Sequence, residues 1–378
     1  MLCRTQRVSR RPLRILDRAV RWALSDLVLS EGTSGGPVTK VLQVMAGAAV
    51  GGAEEFFMRL VPALARVDVE QRVTIRAHDA REAIFKSADI QTVAARFGGM
   101  LDFSTRGIVR QEVADFTPDI VMAWMSRAAH FCPAGEHVLA ARLGGYYDLK
   151  YYRHCNHLIG NTEAIRSYLI TEGWPEEHAW YIPNFVDDAR ADAIDRSSHD
   201  TPDDAPLLLA LGRLHENKAF DVLIAALADI PNAYLWIAGD GPLDSALQAA
   251  THTLGVSDRV RFLGWRNDIP NLLATAELLV CPSRHEPLGN VVIEGWAHGV
   301  PVVATNSDGP RSLIHDEETG LLVPIDDADA LSRSVNRLIN LPEFAAELAS
   351  AGYRAYQTTY TEDIVVQQYQ AFFEKVIP

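Results

Sequence analysis

The feature that most limits the fold is an alternation that runs through the chain twice. Apolar runs at residues 40–45, 72–77, 119–124, 138–141 and 157–160 read as strands, with helical spacing between them. A second series follows at 207–211, 234–238, 260–263, 278–281 and 301–304. Runs of this kind read as strands buried on both faces, and strands alternating with helices form parallel, doubly wound sheets. Residues 53–66, 220–228, 330–340, 343–356 and 362–376 carry the clearest helical spacing. Between the two series, residues 186–205 are rich in Asp, Ser and Pro and read as an interdomain linker. The expected class is therefore α/β, with two Rossmann-like domains at residues 38–186 and 187–360, a closing helix at 361–378 and a separate extension at 1–37.

Charge and cysteine usage narrow the function. A formal net charge of −14 opposes nucleic-acid binding, because a phosphate backbone would repel it. Cys3, Cys132, Cys155 and Cys281 form no close pairs, so neither a zinc site nor a redox motif is indicated. Reduced thiols in a cytoplasmic protein are the simplest reading. No apolar run reaches the roughly 20 residues that a membrane span needs.

Chemistry concentrates where strands end. After the run at 278–281 comes His285-Glu286-Pro287-Leu288-Gly289-Asn290, with Glu294 about one turn into the next helix. Asn290 can cap that helix. The helix start offers free N–H groups, and two carboxylates beside them suit a hydroxyl-rich ligand. Either glutamate alone is equally an exposed surface residue. The packed context argues for a site, since Ile293, Trp296 and Ala297 require burial. Arg213 and Lys218 leave the end of another strand together. A guanidinium can grip two phosphate oxygens, and an ammonium adds a point charge. Gly51-Gly52 opens the first helix and permits close backbone approach to a ligand. Asn161-Thr162 reads as a helix start. Asn184 reads as a turn former near the end of the first domain.

These residues also resemble a known family. Glu286-Pro287-Leu288-Gly289-Asn290-Val291-Val292-Ile293-Glu294, followed by Gly299-Val300-Pro301-Val302-Val303-Ala304, resembles the donor-site signature of retaining glycosyltransferases of family 4. Those enzymes have the GT-B fold, two Rossmann-like domains facing a cleft. Gly212-Arg213-Leu214, with Lys218-Ala219-Phe220-Asp221, looks like the family's phosphate-binding element, which usually has Gly where Ala219 stands. The resemblance implies that Arg213 and Lys218 bind a diphosphate, and that Glu286 holds hydroxyls of the transferred sugar with the amides of Leu288, Gly289 and Asn290. It further implies that Glu294 holds the ribose, that backbone around Arg266 borders the base, and that Gly52 approaches the diphosphate across the cleft. The closing helix would cross back onto the first domain. Many members carry a histidine near the end of the strand here occupied by residues 121–125; this sequence has Ala123-Trp124-Met125-Ser126-Arg127 there, and the nearest histidine is His130, a structural or exposed residue.

No acid cluster is dedicated to a metal. Asp187-Asp188, Asp203-Asp204 and Asp326-Asp327 read as solvated loop charge. The expectation is a metal-independent, cofactor-free hexosyltransferase. Its partners would be a nucleotide sugar and a glycan or lipid-linked acceptor, with no nucleic acid. Rivals are another GT-B enzyme, an epimerase or phosphorylase, and a non-catalytic nucleotide-sugar binding protein.

The amino terminus reverses the charge balance. Residues 1–22 hold seven Arg and one Asp, a net of +6, which leaves −20 for the remainder. Leu13, Leu16, Val20, Leu24 and Leu27 recur at helical spacing. This has the form of an interfacial anchor on the anionic inner face of a cell membrane. The alternative is an unordered start.

Overall fold

The computed structural model describes residues 38–48, 51–99 and 101–378. The expectations for residues 1–37 lie outside the described residues. The first sheet contains β1 (Lys40–Met45), β2 (Glu70–Ile75), β3 (Gln91–Ala94), β4 (Ile120–Trp124), β5 (Val138–Leu143), β6 (His157–Gly160) and β7 (Ala179–Tyr181). The second contains β8 (Leu207–Leu211), β9 (Tyr234–Ala238), β10 (Val260–Gly264), β11 (Leu278–Cys281), β12 (Val302–Thr305) and β13 (Leu321–Val323). The helices of the first half are α1 (Gly52–Ala65), α2 (Asp79–Ser87), α3 (Phe103–Phe116), α4 (Met125–Phe131) and α5 (Glu163–Thr171). Those of the second are α6 (Phe220–Leu227), α7 (Asp244–Thr253), α8 (Ile269–Thr275), α9 (Asn290–His298), α10 (Asp308–Leu313), α11 (Ala328–Asn340), α12 (Pro342–Thr359) and α13 (Glu362–Val376).

The strand orders are β3-β2-β1-β4-β5-β6-β7 and β10-β9-β8-β11-β12-β13. Every strand pairing is parallel. Central strands such as β4, β8 and β11 are buried along their whole length, which explains their unbroken apolar sequence. In both sheets the order reverses beside the first strand, between β1 and β4 and between β8 and β11. In open α/β sheets ligands bind outside the carboxyl ends of the strands at such switch points.

Local sequence starts several helices. Asp102, Thr162, Asp327 and Thr361 each accept a backbone N–H of the first turn of α3, α5, α11 and α13. The cap at Thr162 matches the expected start there. Helix α13 leaves the second sheet and packs on the first, burying Val365, Val366, Tyr369, Phe372 and Phe373 in one cluster with Val41, Phe56 and Trp124. At about 1.5–3 kcal/mol per large apolar side chain, this burial is a strong tie between the two halves.

The sequence reading differs from the structure at several points. β3, β7 and β13 were not anticipated. β3 has no fully buried residue, so it shows no apolar run, and β7 and β13 are three residues each. β5 continues past residue 141 through Arg142 to Leu143. Residues 186–205 contain only one 3-10 turn, Arg196–His199, but they are not a loose tether. Val186 and Thr201 are buried, and Arg196 is bonded to Thr275 and Glu277. The acidic pairs are not all solvated charge. Asp188 accepts from Tyr356, Asp326 from Arg284, and Asp327 caps α11. Among the described residues no helix is long and apolar enough to cross a membrane, and no group of three or more His, Cys, Asp or Glu is arranged to hold a metal.

Candidate active site

A cluster of charged side chains sits at the switch point of the second sheet. Lys218 ends the 3-10 turn Glu216–Lys218 after β8, and Glu286 lies in the loop after β11. These strands are neighbours, so residues 68 apart in sequence meet as an ion pair between Lys218 Nζ and Glu286 Oε2. Gly212, at φ 143, makes room for the pair: a Cβ there would come 3.1 Å from Lys218 Cε. Glu286 is 8% exposed. Ser283 Oγ donates to its Oε2 and the Gly289 N–H to its Oε1, each at 3.4 Å. The Gly309 N–H holds the Glu286 carbonyl at 2.6 Å, and Thr305 Oγ1 donates to the Ser283 carbonyl at 2.5 Å.

Arg284 braces this arrangement from behind. Its Nη1 and Nη2 grip Asp221 at 3.0 and 2.6 Å, its Nε reaches Asp326 at 2.6 Å, and Nη1 also donates to the Glu216 carbonyl at 2.9 Å. The loops carrying Lys218 and Glu286 are thereby tied together. A bidentate guanidinium–carboxylate pair adds geometric precision as well as energy.

Ala219 stands where the resembled family usually has glycine. It is fully buried and sits in the left-handed region, at φ 50 and ψ 38. Such a conformation costs a residue with a Cβ about 1–2 kcal/mol. The strain falls beside Lys218, and backbone strain tends to collect at functional sites.

The electrostatics follow from burial and neighbours. Burial alone would lower the Lys218 ammonium, but Glu286, with Cys281 and Glu294, outweighs it and raises the group above its usual value. Lys218 is therefore a firm cation. Burial pushes the Cys281 thiol up to about 11, with the Glu286 charge in support, so it is protonated at neutral pH and is no nucleophile. Glu294 is half-buried on α9. Burial pushes its carboxyl up to about 7; Arg59 and Lys218 pull it down, while Glu55 and Glu286 push it up. Glu55 and Arg59 belong to α1 of the first sheet, so the two halves face each other here. A Cβ placed on Gly52 would lie 3.8 Å from Asn290 Nδ2, which brings the start of α1 onto the start of α9.

The remaining sequence candidates fall as follows. Arg213 is exposed on the loop after β8, the loop that carries Lys218. Leu288, Gly289 and Asn290 form the turn into α9, where the first helical amides lack intrahelical partners. Arg266 follows β10, and its guanidinium is held by Asp268 at 2.8 and 2.5 Å, which keeps that carboxyl below its usual value. His130 is exposed and paired with Arg106 at 2.8 Å. Burial and the nearby Arg106 lower its proton affinity.

One expectation is corrected. Asn290 does not cap α9. Gly289 occupies the cap position in the left-handed region, at φ 75, and no side chain bonds the first turn. Asn290 is the first helical residue, and its Oδ1 accepts instead from Asn184 Nδ2 at 2.9 Å. Sequence reasoning also missed Ser283 and Thr305, which support Glu286, and Met125. Met125 holds φ 64 at the end of β4, where the resembled family often has its histidine nearby. Only the left-handed backbone marks Met125 as unusual, and a methionine gives no warning of that.

Taken together, a part-buried cation–carboxylate pair, a half-buried second carboxylate and a helix start lie at one switch point, with an exposed arginine on the loop that carries Lys218. The set can hold a diphosphate and a group rich in hydroxyls.

Comparisons with known proteins identify the fold and the family. The sequence model of the family described as Glycosyl transferases group 1 matches residues 192–355. The lipopolysaccharide core biosynthesis glycosyltransferase LpsE of Rhizobium meliloti (strain 1021) is 36% identical over 332 residues, spanning 84% of this chain and 94% of that protein. Among solved structures, a glycosyltransferase from Rickettsia africae ESF-5 superposes with a TM-score of 0.81 at 17% identity, covering 90% of this chain and 99% of that one. Anabaena HepE in complex with UDP-glucose superposes with a TM-score of 0.77 at 21% identity, covering 89% and 100%. The architecture is the GT-B fold, and the chain belongs to the group 1 glycosyl transferases, as a glycosyltransferase.

Proposed function

We propose that this glycosyltransferase moves a hexose from a nucleoside diphosphate sugar to a hydroxyl of a glycan or lipid-linked saccharide, with retention of anomeric configuration. The observation that carries the reading is the Lys218–Glu286 pair at the β8/β11 switch point, with Glu294 within electrostatic reach. The ammonium has three donors and spends one on Glu286, which leaves others for phosphate oxygens. Arg213 supplies a second cation from the same loop. Negative charge grows on the diphosphate as the sugar departs, and preorganised cations stabilise it. Glu286 and the amides of Leu288, Gly289 and Asn290 hold the sugar hydroxyls. Glu294 holds the ribose, backbone around Arg266 borders the base, and Gly52 closes on the diphosphate.

In the transfer step the bond from the anomeric carbon to the phosphate oxygen breaks. A bond to the acceptor oxygen forms on the same face, and the acceptor proton passes to the departing phosphate oxygen. The two cations compensate the diphosphate, so no metal or cofactor is invoked. The family-4 signature favours this front-face course. The name of the Rhizobium relative suggests a lipopolysaccharide core acceptor, and the HepE complex suggests UDP-glucose among the donors to try first. Residues 1–37 would hold the enzyme at the cytoplasmic membrane face, beside such an acceptor.

The test is a panel of UDP-, GDP-, ADP- and dTDP-hexoses, each with and without a truncated lipopolysaccharide core. One donor should be consumed only with acceptor, giving a product one hexose heavier and free nucleoside diphosphate. Nucleotide release without acceptor would indicate an epimerase or hydrolase. A requirement for phosphate would indicate a phosphorylase, and binding without turnover a sensor. Each of these outcomes overturns the reading.

A further inference from the structure

A chain of side-chain contacts runs from the interior of the first sheet to the start of α9. It begins at Arg142 on β5, which is 2% exposed. Among the described residues no carboxylate pairs with it. Its guanidinium carbon lies 4.4 Å from the Phe56 ring centroid and 5.2 Å from that of Trp124. The Trp124 N–H is tied to Gln43 Oε1 at 2.9 Å, which fixes the ring beneath the cation. Arg142 Nε donates to Tyr369 Oη at 2.8 Å, and Nη2 donates to Asn184 Oδ1. Asn184 is also 2% exposed, and its Nδ2 donates to Asn290 Oδ1.

The donor–acceptor chemistry gives this chain a direction. A guanidinium can only donate, so it must meet the oxygen of the Asn184 amide. The Asn184 nitrogen then points the other way and can only meet the oxygen of Asn290. The Asn290 nitrogen is left facing the cleft, toward Gly52. A buried cation is costly, and an apolar residue would fill the same volume more cheaply if packing were its only task. We propose that Arg142 is a positioning residue: acting through Asn184, it fixes Asn290 with its N–H groups toward the donor's diphosphate and sugar. Aligned bonds in a water-poor interior polarise one another, so the buried charge also strengthens the terminal donor. The inference rests on the donor site proposed above, because it assigns what Asn290 presents to that ligand.

Asn184→Asp reverses the chain without removing it. The carboxylate still accepts from Arg142 but cannot donate. Asn290 therefore turns to donate into it and presents its oxygen to the cleft. The probe is UDP-glucose, or whichever nucleotide sugar of the panel the wild-type protein binds, followed by calorimetry. Asn184→Asp should keep the wild-type melting temperature and bind the probe about tenfold or more weakly, the scale for one hydrogen bond to a charged group. In an Asn290→Ala background the same change should have no further effect. Equal binding by Asn184→Asp and wild type, or the same loss in both backgrounds, overturns the proposal. Arg142→Lys and Arg142→Met give a second measurement if Asn184→Asp folds poorly. Lysine still donates and should bind the probe within about threefold of wild type, whereas methionine should not. Equal binding by those two variants overturns the proposal as well. Failure of the wild-type protein to bind any nucleotide sugar is a separate result and sinks the donor site itself.

Discussion

If Glu294 holds the donor's ribose as proposed, donor binding should depend on pH in the range where most enzymes are assayed. Burial pushes its carboxyl up to about 7 from an ordinary 4.5. A carboxylate accepts strong hydrogen bonds from ribose hydroxyls, whereas the protonated acid does not. With a midpoint near 7, about one tenth of Glu294 is ionised at pH 6 and about nine tenths at pH 8, so affinity should rise about ninefold over that range. The assay is calorimetric titration with a nucleotide sugar, a phosphodiester that does not titrate in this window. Glu294→Gln should bind weakly and flatten the profile. The same shift has a signature in stability. A carboxyl raised in the fold holds its proton more tightly when folded, so stability falls as pH rises from about 4.5 to about 7 and is then level. Glu294→Gln should therefore raise the melting temperature at pH 8 but not at pH 4. An unchanged affinity profile in Glu294→Gln would refute the assignment of Glu294 as the titrating ligand.

Other perturbations test neighbouring parts of the site. Lys218→Ala should lower turnover about a hundredfold or more, the scale for losing a preorganised charge. It also strands Glu286, so stability should fall by about 1–3 kcal/mol, and adding Glu286→Gln should restore the melting temperature but not turnover. Near-normal turnover in Lys218→Ala would remove the role. Ala219→Gly relieves a left-handed alanine worth about 1 kcal/mol, partly offset by the freedom glycine adds to the unfolded chain. Urea unfolding should show equal or higher stability; a loss above about 1 kcal/mol would contradict the strain argument. Deleting residues 1–36 should abolish sedimentation with anionic liposomes at low salt while leaving donor affinity intact. Equal liposome binding by both forms would remove the anchor.

The parts of this architecture that were legible in the sequence share one property: they are local. The runs at β6, β8, β9 and β11 are bounded by polar or glycine loops, and their limits agree with the structure. The charged loops after β8 and β11 are short strings whose meaning depends on strand order alone. What escaped depends on distant partners. β3 is an edge strand defined by its pairing with β2, not by its own hydrophobicity. The apolar run of β5 stops before Arg142, and arginine is rarely buried, so its continuation is not legible locally. The aromatic faces that accept it come from α1 and β4, which no local pattern reveals. Asn184 and Asn290 are 106 residues apart, so each looked like a turn or cap residue until the fold brought them together. The misplacement of Asn290 has the same origin. Gly289 supplies the turn through its backbone, which frees the asparagine for a partner on the other side of the cleft.

The most direct test of the central claim is the stereochemistry of the transfer. The protein is supplied with an α-linked nucleotide hexose labelled with carbon-13 at the anomeric carbon, a lipopolysaccharide core acceptor and excess chelator. The one-bond carbon–hydrogen coupling at that carbon is then read in the product. Front-face transfer assisted by Arg213, Lys218 and Glu286 predicts an α-linked product formed at full rate in the chelator. A β-linked product, or transfer that stops until a divalent ion is restored, would contradict the account.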